Sequence, residues 1–243
     1  MKTVAIIPSR YKSTRFPGKP LAEINGKPMM WHVYQAALRV KEIDEVYVAT
    51  EDGRIEAACK QLGLNVIMTG DHHFTGTDRL TECATKLDGD LFVNVQGDEP
   101  MIEPSAIAAV TRAMKACKDP AIVATNGYTF IEDHAVVTST NVVKVVISAS
   151  SRALSFSRLP IPFTRGAAVE YRRQLGLYCF ARRGLALFAS LQPGPIERCE
   201  SVEMLRFVEN DHAVLMVEVE DNSVPVDTVE DLFRVRELMG RTI

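Results

Sequence analysis

Through the first half of the chain, apolar residues come in short unbroken runs separated by longer amphipathic stretches. The runs Val4–Ile7, Glu45–Ala49, Asn65–Met68, Leu91–Val95 and Ile122–Thr125 have the length of strands buried on both faces. Between them, Met29–Val40, Ile55–Leu62, Thr77–Leu87 and Ser105–Cys117 have helical length and periodicity. Buried strands separated by helices predict crossover connections and a mostly parallel sheet, an α/β architecture. After residue 130 the alternation breaks. Asn141–Ile147, Ala153–Phe156 and Leu175–Phe180 predict strands without a long helix between them, hence a smaller antiparallel lobe or a sheet extension. Helical spacing returns at Gly184–Ser190 and Val202–Glu209, followed by a strand at Val214–Val219 and a closing helix at Val229–Met239.

No linker, repeat or low-complexity tract divides the halves. The expectation is a single domain over residues 1–243 with a lobe inserted at about 130–200. A chain of 243 residues that is 47% hydrophobic can bury one sizeable core. Its formal charge of −3 argues against a nucleic-acid partner, which calls for a basic domain. Cys59, Cys83, Cys117, Cys179 and Cys199 are scattered and form no Cys-x-x-Cys pair, so they read as small core residues in a reducing compartment. The chain enters its first strand directly at Val4, and no apolar run approaches the ~20 residues of a membrane helix. These features predict a soluble, cytoplasmic protein with no membrane insertion.

Three segments can carry chemistry. The first follows the opening strand. Pro8 stops the apolar run, and Arg10, Lys12, Arg15 and Lys19 then come within ten residues, on a path set by Pro17, Gly18 and Pro20. In open α/β sheets ligands bind at the carboxyl ends of the strands, where four cations can hold a nucleoside triphosphate. Neither Gly-x-Gly-x-x-Gly nor Gly-x-x-x-x-Gly-Lys-Ser/Thr occurs here, so side-chain charge would replace a glycine nest. The second segment, Gln96-Gly97-Asp98-Glu99-Pro100, ends the strand Leu91–Val95 and puts Asp98 at the same edge. Asp98 reads either as a magnesium ligand or as a turn aspartate. The third, Thr75-Gly76-Thr77-Asp78-Arg79, opens a helix whose free amides can face a ligand.

Asp227, at a strand-to-helix junction, reads from spacing alone as a helix N-cap. His72 and His73 lack partners at metal-ligand spacing and are expected on a surface turn. His32, His134 and His212 are isolated, and no Ser-His-Asp or Cys-His arrangement supports a covalent nucleophile.

Taken in order, Ile6–Leu21, Ile24–Met29, Val48–Thr50, Gly76–Leu80, Asn94–Pro100, Val143–Val146, Phe156–Arg158, Leu175–Tyr178 and Val226–Thr228 resemble one family end to end. It is that of the cytidylyltransferases activating 3-deoxy-manno-octulosonate (Kdo), the acidic 2-keto sugar of bacterial lipopolysaccharide. The resemblance implies a Rossmann-like nucleotidyltransferase fold, a homodimer, a requirement for Mg2+, and the reaction of CTP with Kdo to give CMP-Kdo and diphosphate. It implies that Arg10, Arg15 and Lys19 neutralise the triphosphate, with Ser13 adding a hydrogen bond. Thr50, Gly76 and Thr77 would surround the cytidine, with Arg79 nearby. Asp98 and Asp227 would hold the magnesium. Arg158 would pair with the sugar carboxylate, and Gln96, Tyr178, Glu200 and Glu203 would lie on the sugar side.

Two departures fall in the part implied to bind sugar. Gln174 stands where the family usually has His, and Met204 where it has Gln. Both change polar contacts to sugar hydroxyls, and such contacts discriminate strongly. The substrate is therefore open between Kdo, its 8-amino analogue and another 2-keto sugar acid. A sialic acid type cytidylyltransferase or a glycosyltransferase is an alternative on the same fold. Gln96–Pro100 in place of Asp-x-Asp argues against the glycosyltransferase. A non-catalytic nucleotide binder is the alternative of a different class, but it needs no pair of metal carboxylates.

Overall fold

The computed structural model describes residues 1–13, 15–166, 168–221 and 223–240. The first buried run forms β1 (Thr3–Pro8), and a small hairpin, β2 (Glu23–Ile24) and β3 (Lys27–Pro28), leads into α1 (Met29–Leu38). Then come β4 (Glu45–Thr50), α2 (Gly53–Gln61), β5 (Val66–Met68), α3 (Gly76–Lys86), β6 (Leu91–Val95) and α4 (Pro104–Ala116), as the alternation predicts. Successive residues of one strand serve opposite layers. Ala5 and Ile7 of β1 share a core with Met30 and Val33 of α1 and Ile107 of α4. Val4 and Ile6 join Leu80 and Cys83 of α3 on the other side. With both faces covered, the strands read as continuous apolar runs.

The second half runs β7 (Ile122–Phe130), α5 (His134–Thr138), β8 (Lys144–Ile147), β9 (Ala153–Ser157) and β10 (Arg172–Ala181). It continues through α6 (Arg182–Ser190), α7 (Pro195–Glu200), α8 (Leu205–Val208), β11 (Ala213–Glu218) and α9 (Val229–Gly240). The main path of the sheet is β11-β7-β10-β6-β1-β4-β5. Neighbours along it are parallel except β10, which lies antiparallel between β6 and β7. β8 branches from β10 and pairs with β9. The break in alternation after residue 130 thus marks both a hairpin branch and a strand that returns to the centre of the main sheet.

Several predicted elements differ from the structure, among them β10, which starts at Arg172 and not at Leu175. β7 extends to Phe130 because β10 and β11 pair with it on either side. The helix expected over Val202–Glu209 is broken: α7 starts at Pro195 and ends where Ser201 turns left-handed at φ 52, and α8 begins only at Leu205. Val202, Met204, Leu205 and Phe207 are buried all the same, so apolar spacing imitated a helix that the backbone interrupts. β8 begins at Lys144, not Asn141. The buried Lys144 ammonium donates to the carbonyls of Ser139 and Val142 before the strand and of Arg158 after β9. One charge thereby stitches together two segments that border the site, while burial and the nearby Arg158 lower its pKa.

α9 packs Leu232 and Val235 onto Ile24 of the hairpin, Met29 of α1 and the buried Val226. This brings a segment from the far end of the sequence beside the loop after β1. Among the described residues, no helix is long and apolar enough to cross a membrane.

Lys144→Met leaves three carbonyls without their donor, so it is expected to lower stability by on the order of 3 kcal/mol. The check is urea unfolding, with a lower midpoint at unchanged slope.

Candidate active site at the carboxyl ends of β1 and β6

The loop after β1 is anchored at both ends. The Ser9 N–H donates to the Ala49 carbonyl at 2.8 Å, the Gly18 N–H to the Tyr11 carbonyl at 2.9 Å, and the Phe16 N–H to Ser13 Oγ at 3.2 Å. The Arg54 guanidinium lies 3.2 Å from the Tyr11 ring centroid and packs over the same loop. Beside it, a Cβ at Gly97 would come within 2.9 Å of the Pro8 carbonyl oxygen. Glycine there lets the ends of β1 and β6 close on each other.

The two carboxylates meet at Lys19. Its Nζ lies 2.7 Å from Asp98 Oδ2 and 3.2 Å from Asp227 Oδ1, and Arg15 Nη2 lies 3.1 Å from that same Asp227 oxygen. A main-chain bond fixes the approach, with the Val226 N–H donating to the Asp98 carbonyl at 2.8 Å. The N-cap reading of Asp227 is replaced. Thr228 and Asp231 cap α9 reciprocally: Thr228 Oγ1 accepts the Asp231 N–H, and Asp231 Oδ2 accepts the N–H of Thr228 and of Asp227. The Asp227 carboxylate is thereby left to face the cleft.

This cleft, about 410 Å³, is lined by Arg10, Ser13, Arg15, Lys19, Gly76, Arg79, Gln96, Asp98 and Asp227 among the residues singled out from sequence. Arg10 and Lys12 are exposed and find no carboxylate partner among the described residues, so they can meet an anion. Arg79 is already engaged, with Nη2 2.6 Å from Glu51 Oε2 and Nη1 on Thr69 Oγ1. The cleft opens into a second of about 940 Å³, where Arg158, Gln174, Tyr178 and Glu203 join Arg10, Gly76, Gln96, Asp98 and Asp227. Arg158 is held by carbonyls: Nε donates to Glu200, Nη1 to Thr140 and Nη2 to Ser201. Gln174 Nε2 donates to Asn126 Oδ1 at 2.9 Å.

Four of the expected residues line neither cleft. Thr50 is fully buried, and its Oγ1 accepts the Asp52 N–H. Thr77 is buried too, and its N–H donates to Glu203 Oε2 at 3.0 Å. Glu200 stands behind the wall and accepts from Ser157 Oγ and from the Arg158 N–H. Met204 is a correction: it is wholly buried in the core with Phe156, Phe180 and Phe207, where apolar packing and not a polar wall surrounds it.

Other groups enter that sequence reasoning passed over. Glu99, next to Asp98, lines the larger cleft with Arg173 and Arg206. Burial, then the neighbouring Asp221, pushes the Glu99 carboxyl up to about 7. Burial likewise raises the Glu203 pKa against the bond from Thr77. Arg206, three residues after Glu203, pairs with Glu197 at 2.7 Å and with Asp78 at 2.9 Å. Only adjacency and helical spacing to predicted residues could have signalled these three.

His73 is the other correction. It was expected on an open turn without a partner, but its side chain is 7% exposed, lines the smaller cleft, and places Nε2 2.5 Å from Glu82 Oε2. Burial pushes the Glu82 carboxyl up, but hydrogen bonds from Lys86, the Gly70 N–H and His73 outweigh it and hold the group at about 2.

A family model of cytidylyltransferases matches residues 4–218. The 3-deoxy-manno-octulosonate cytidylyltransferase of Syntrophus aciditrophicus (strain SB) is 44% identical over 99% of this chain and 98% of its own. That of Escherichia coli is 41% identical over 100% of this chain and 98% of its own. The solved structure of CMP:2-keto-3-deoxy-manno-octonic acid synthetase complexed with CTP matches with a TM-score of 0.94 at 40% identity, covering 100% of both chains. This chain belongs to the 3-deoxy-manno-octulosonate cytidylyltransferase family.

Because the Glu82 pKa in the folded protein lies below its ordinary value of 4.5, its stabilising contribution is complete above 4.5 and is lost as pH falls toward 2. Urea midpoints measured down this range should fall less steeply for Glu82→Gln than for the wild type.

Proposed function

We propose that this chain transfers CMP from CTP to the anomeric hydroxyl of Kdo, giving CMP-Kdo and diphosphate for lipopolysaccharide assembly. The observation that carries the reading is the pair Asp98 and Asp227, converging on Lys19 at the junction of a basic cleft and a larger one. Arg10, Arg15 and Lys19 neutralise the triphosphate, and Ser13 adds a hydrogen bond. Gly76, at the opening of α3, and Arg79 bound the cytidine from one side; the buried Thr50 and Thr77 support that wall from behind. Arg158 receives the sugar carboxylate, and Gln96, Tyr178 and Glu203 border the sugar, with Glu200 holding Arg158 in place.

The donor set suits magnesium, which takes oxygen ligands and few of them from protein; Asp98 Oδ2 and Asp227 Oδ1 both reach a single cationic nitrogen. Asp98 and Asp227 would hold the ion, which when bound lowers the pKa of a coordinated hydroxyl and offsets phosphate charge. In the transfer, a bond forms between the anomeric oxygen and the α-phosphorus as the bond to diphosphate breaks; diphosphate departs and the hydroxyl proton passes to solvent water. Positioning and fixed positive charge supply most of the rate enhancement in such a displacement.

Within about 130–200, the part that leaves the main sheet before β10 rejoins it is read as the inserted lobe that binds the sugar and forms a homodimer contact. The exposed Leu154, Leu159 and Phe163 within it support that reading. The reaction belongs in the cytoplasm, where CTP is available. One observation favours the alternative reading, in which the sugar is 8-amino-Kdo. Gln174 lines the larger cleft in place of the family's histidine, and with Nε2 engaged by Asn126 it offers Oε1 to a ligand donor.

The test is magnesium-dependent diphosphate release from CTP with Kdo and with 8-amino-Kdo in parallel. Release with Kdo is expected, and Asp98→Asn or Asp227→Asn should each lower kcat by at least ~10²–10³-fold. A preference for the amino sugar replaces Kdo with that alternative. No release with either sugar overturns the reading and leaves a nucleotide-binding protein.

A further inference from the structure

Outside the residues assigned to the reaction, the turn before α3 brings three metal-ligating side chains together. The ligand atoms of His72, His73 and Glu82 all lie within 4.8 Å of one another. The two imidazoles stand side by side, ring centroids 4.5 Å apart. His73 Nε2 is 2.5 Å from Glu82 Oε2, the spacing of a pair bridged by a proton, and a cation takes that proton's place when the two atoms move apart by about 1 Å. Lys86 holds the other carboxylate oxygen, Oε1, at 2.6 Å, and the Gly70 N–H donates to Oε2 at 2.9 Å, so Glu82 is already oriented.

A gap in the backbone makes room for the third ligand. A Cβ at Gly70 would collide with His72 Cε1 and stand 2.6 Å from its Nδ1 and 3.5 Å from Glu82 Oε2. The missing side chain therefore lets the His72 ring lie against the main chain beside the carboxylate. Any other residue at position 70 would push that ring away.

We propose that His72, His73 and Glu82 form a binding site for a zinc-class divalent cation, separate from the magnesium site read at Asp98 and Asp227. Two imidazoles and one carboxylate suit a borderline cation in tetrahedral geometry, with water as the fourth ligand; magnesium prefers oxygen alone. The ion ties the turn at 70–73 to the middle of α3. Thr75, Gly76 and Arg79, between those two anchors, line the smaller cleft with His73, so the ion stiffens that wall of the nucleotide pocket.

Co2+ added to the full chain without nucleotide tests the site, since its visible absorption reports nitrogen and oxygen ligation independently of catalysis. The expected result is a band that saturates at one equivalent, is displaced by Zn2+, and persists in Asp98→Asn. His72→Ala, at an exposed position, should weaken Co2+ binding at least tenfold with unchanged circular dichroism. Gly70→Ala should weaken it too by filling the gap. A wild-type chain without a saturable band overturns the proposal. So does a band that survives His72→Ala, which places the ion elsewhere, or one lost in Asp98→Asn, which assigns it to the magnesium site.

Discussion

Two carboxylates from distant parts of the sequence face one ammonium, and much of the architecture is needed to keep them there. Asp98 and Asp227 repel each other unless a cation stands between them, and Lys19 Nζ contacts both. Holding that triad takes three independent pieces of the fold. The parallel pairing of β1 with β6 puts the basic loop beside Asp98. The Val226 N–H bond to the Asp98 carbonyl fixes the chain that carries Asp227. The packing of α9 on the small hairpin buries Val226 and gives that chain its direction.

The same logic joins the two clefts. Glu203, on the wall of the larger one, accepts the Thr77 N–H from the start of α3, which borders the smaller. Arg206 bridges Glu197 of α7 and Asp78 of α3, and its guanidinium carbon stacks 3.8 Å from the Phe188 ring centroid. A buried guanidinium with two carboxylate partners is strongly constrained, because loss of either leaves a charge without compensation. The wall between the clefts is thus a hydrogen-bonded unit, built from segments that the sheet brings together from opposite halves of the chain.

Legibility in the sequence followed how local the cause of each feature was. β6 falls at Leu91–Val95, where the apolar run puts it, since burial on both faces writes itself into consecutive residues. α3 was equally legible, and its start is fixed by the Thr75–Asp78 capping box. The stretch after Pro195 misled because spacing records burial, and burial at Val202, Met204 and Leu205 does not require a continuous helix. Met204 went with it: a position counted on a polar wall proved to be core. His73 was passed over because its partner Glu82 lies on the next helix, and only the turn of the chain brings them into contact.

By itself the sequence determined the alternation of buried strands and helices, the basic loop at the end of β1, and the acidic end of β6. Each arises from residues adjacent in the chain, so composition and local backbone preference suffice. Only the tertiary structure decided that Thr228, and not Asp227, caps α9, so that the Asp227 carboxylate faces Lys19. It alone placed β10 between β6 and β7, and set Glu203 against the opening of α3. Those outcomes depend on distances between segments far apart in sequence, which burial and hydrogen bonding fix only when the whole sheet has formed.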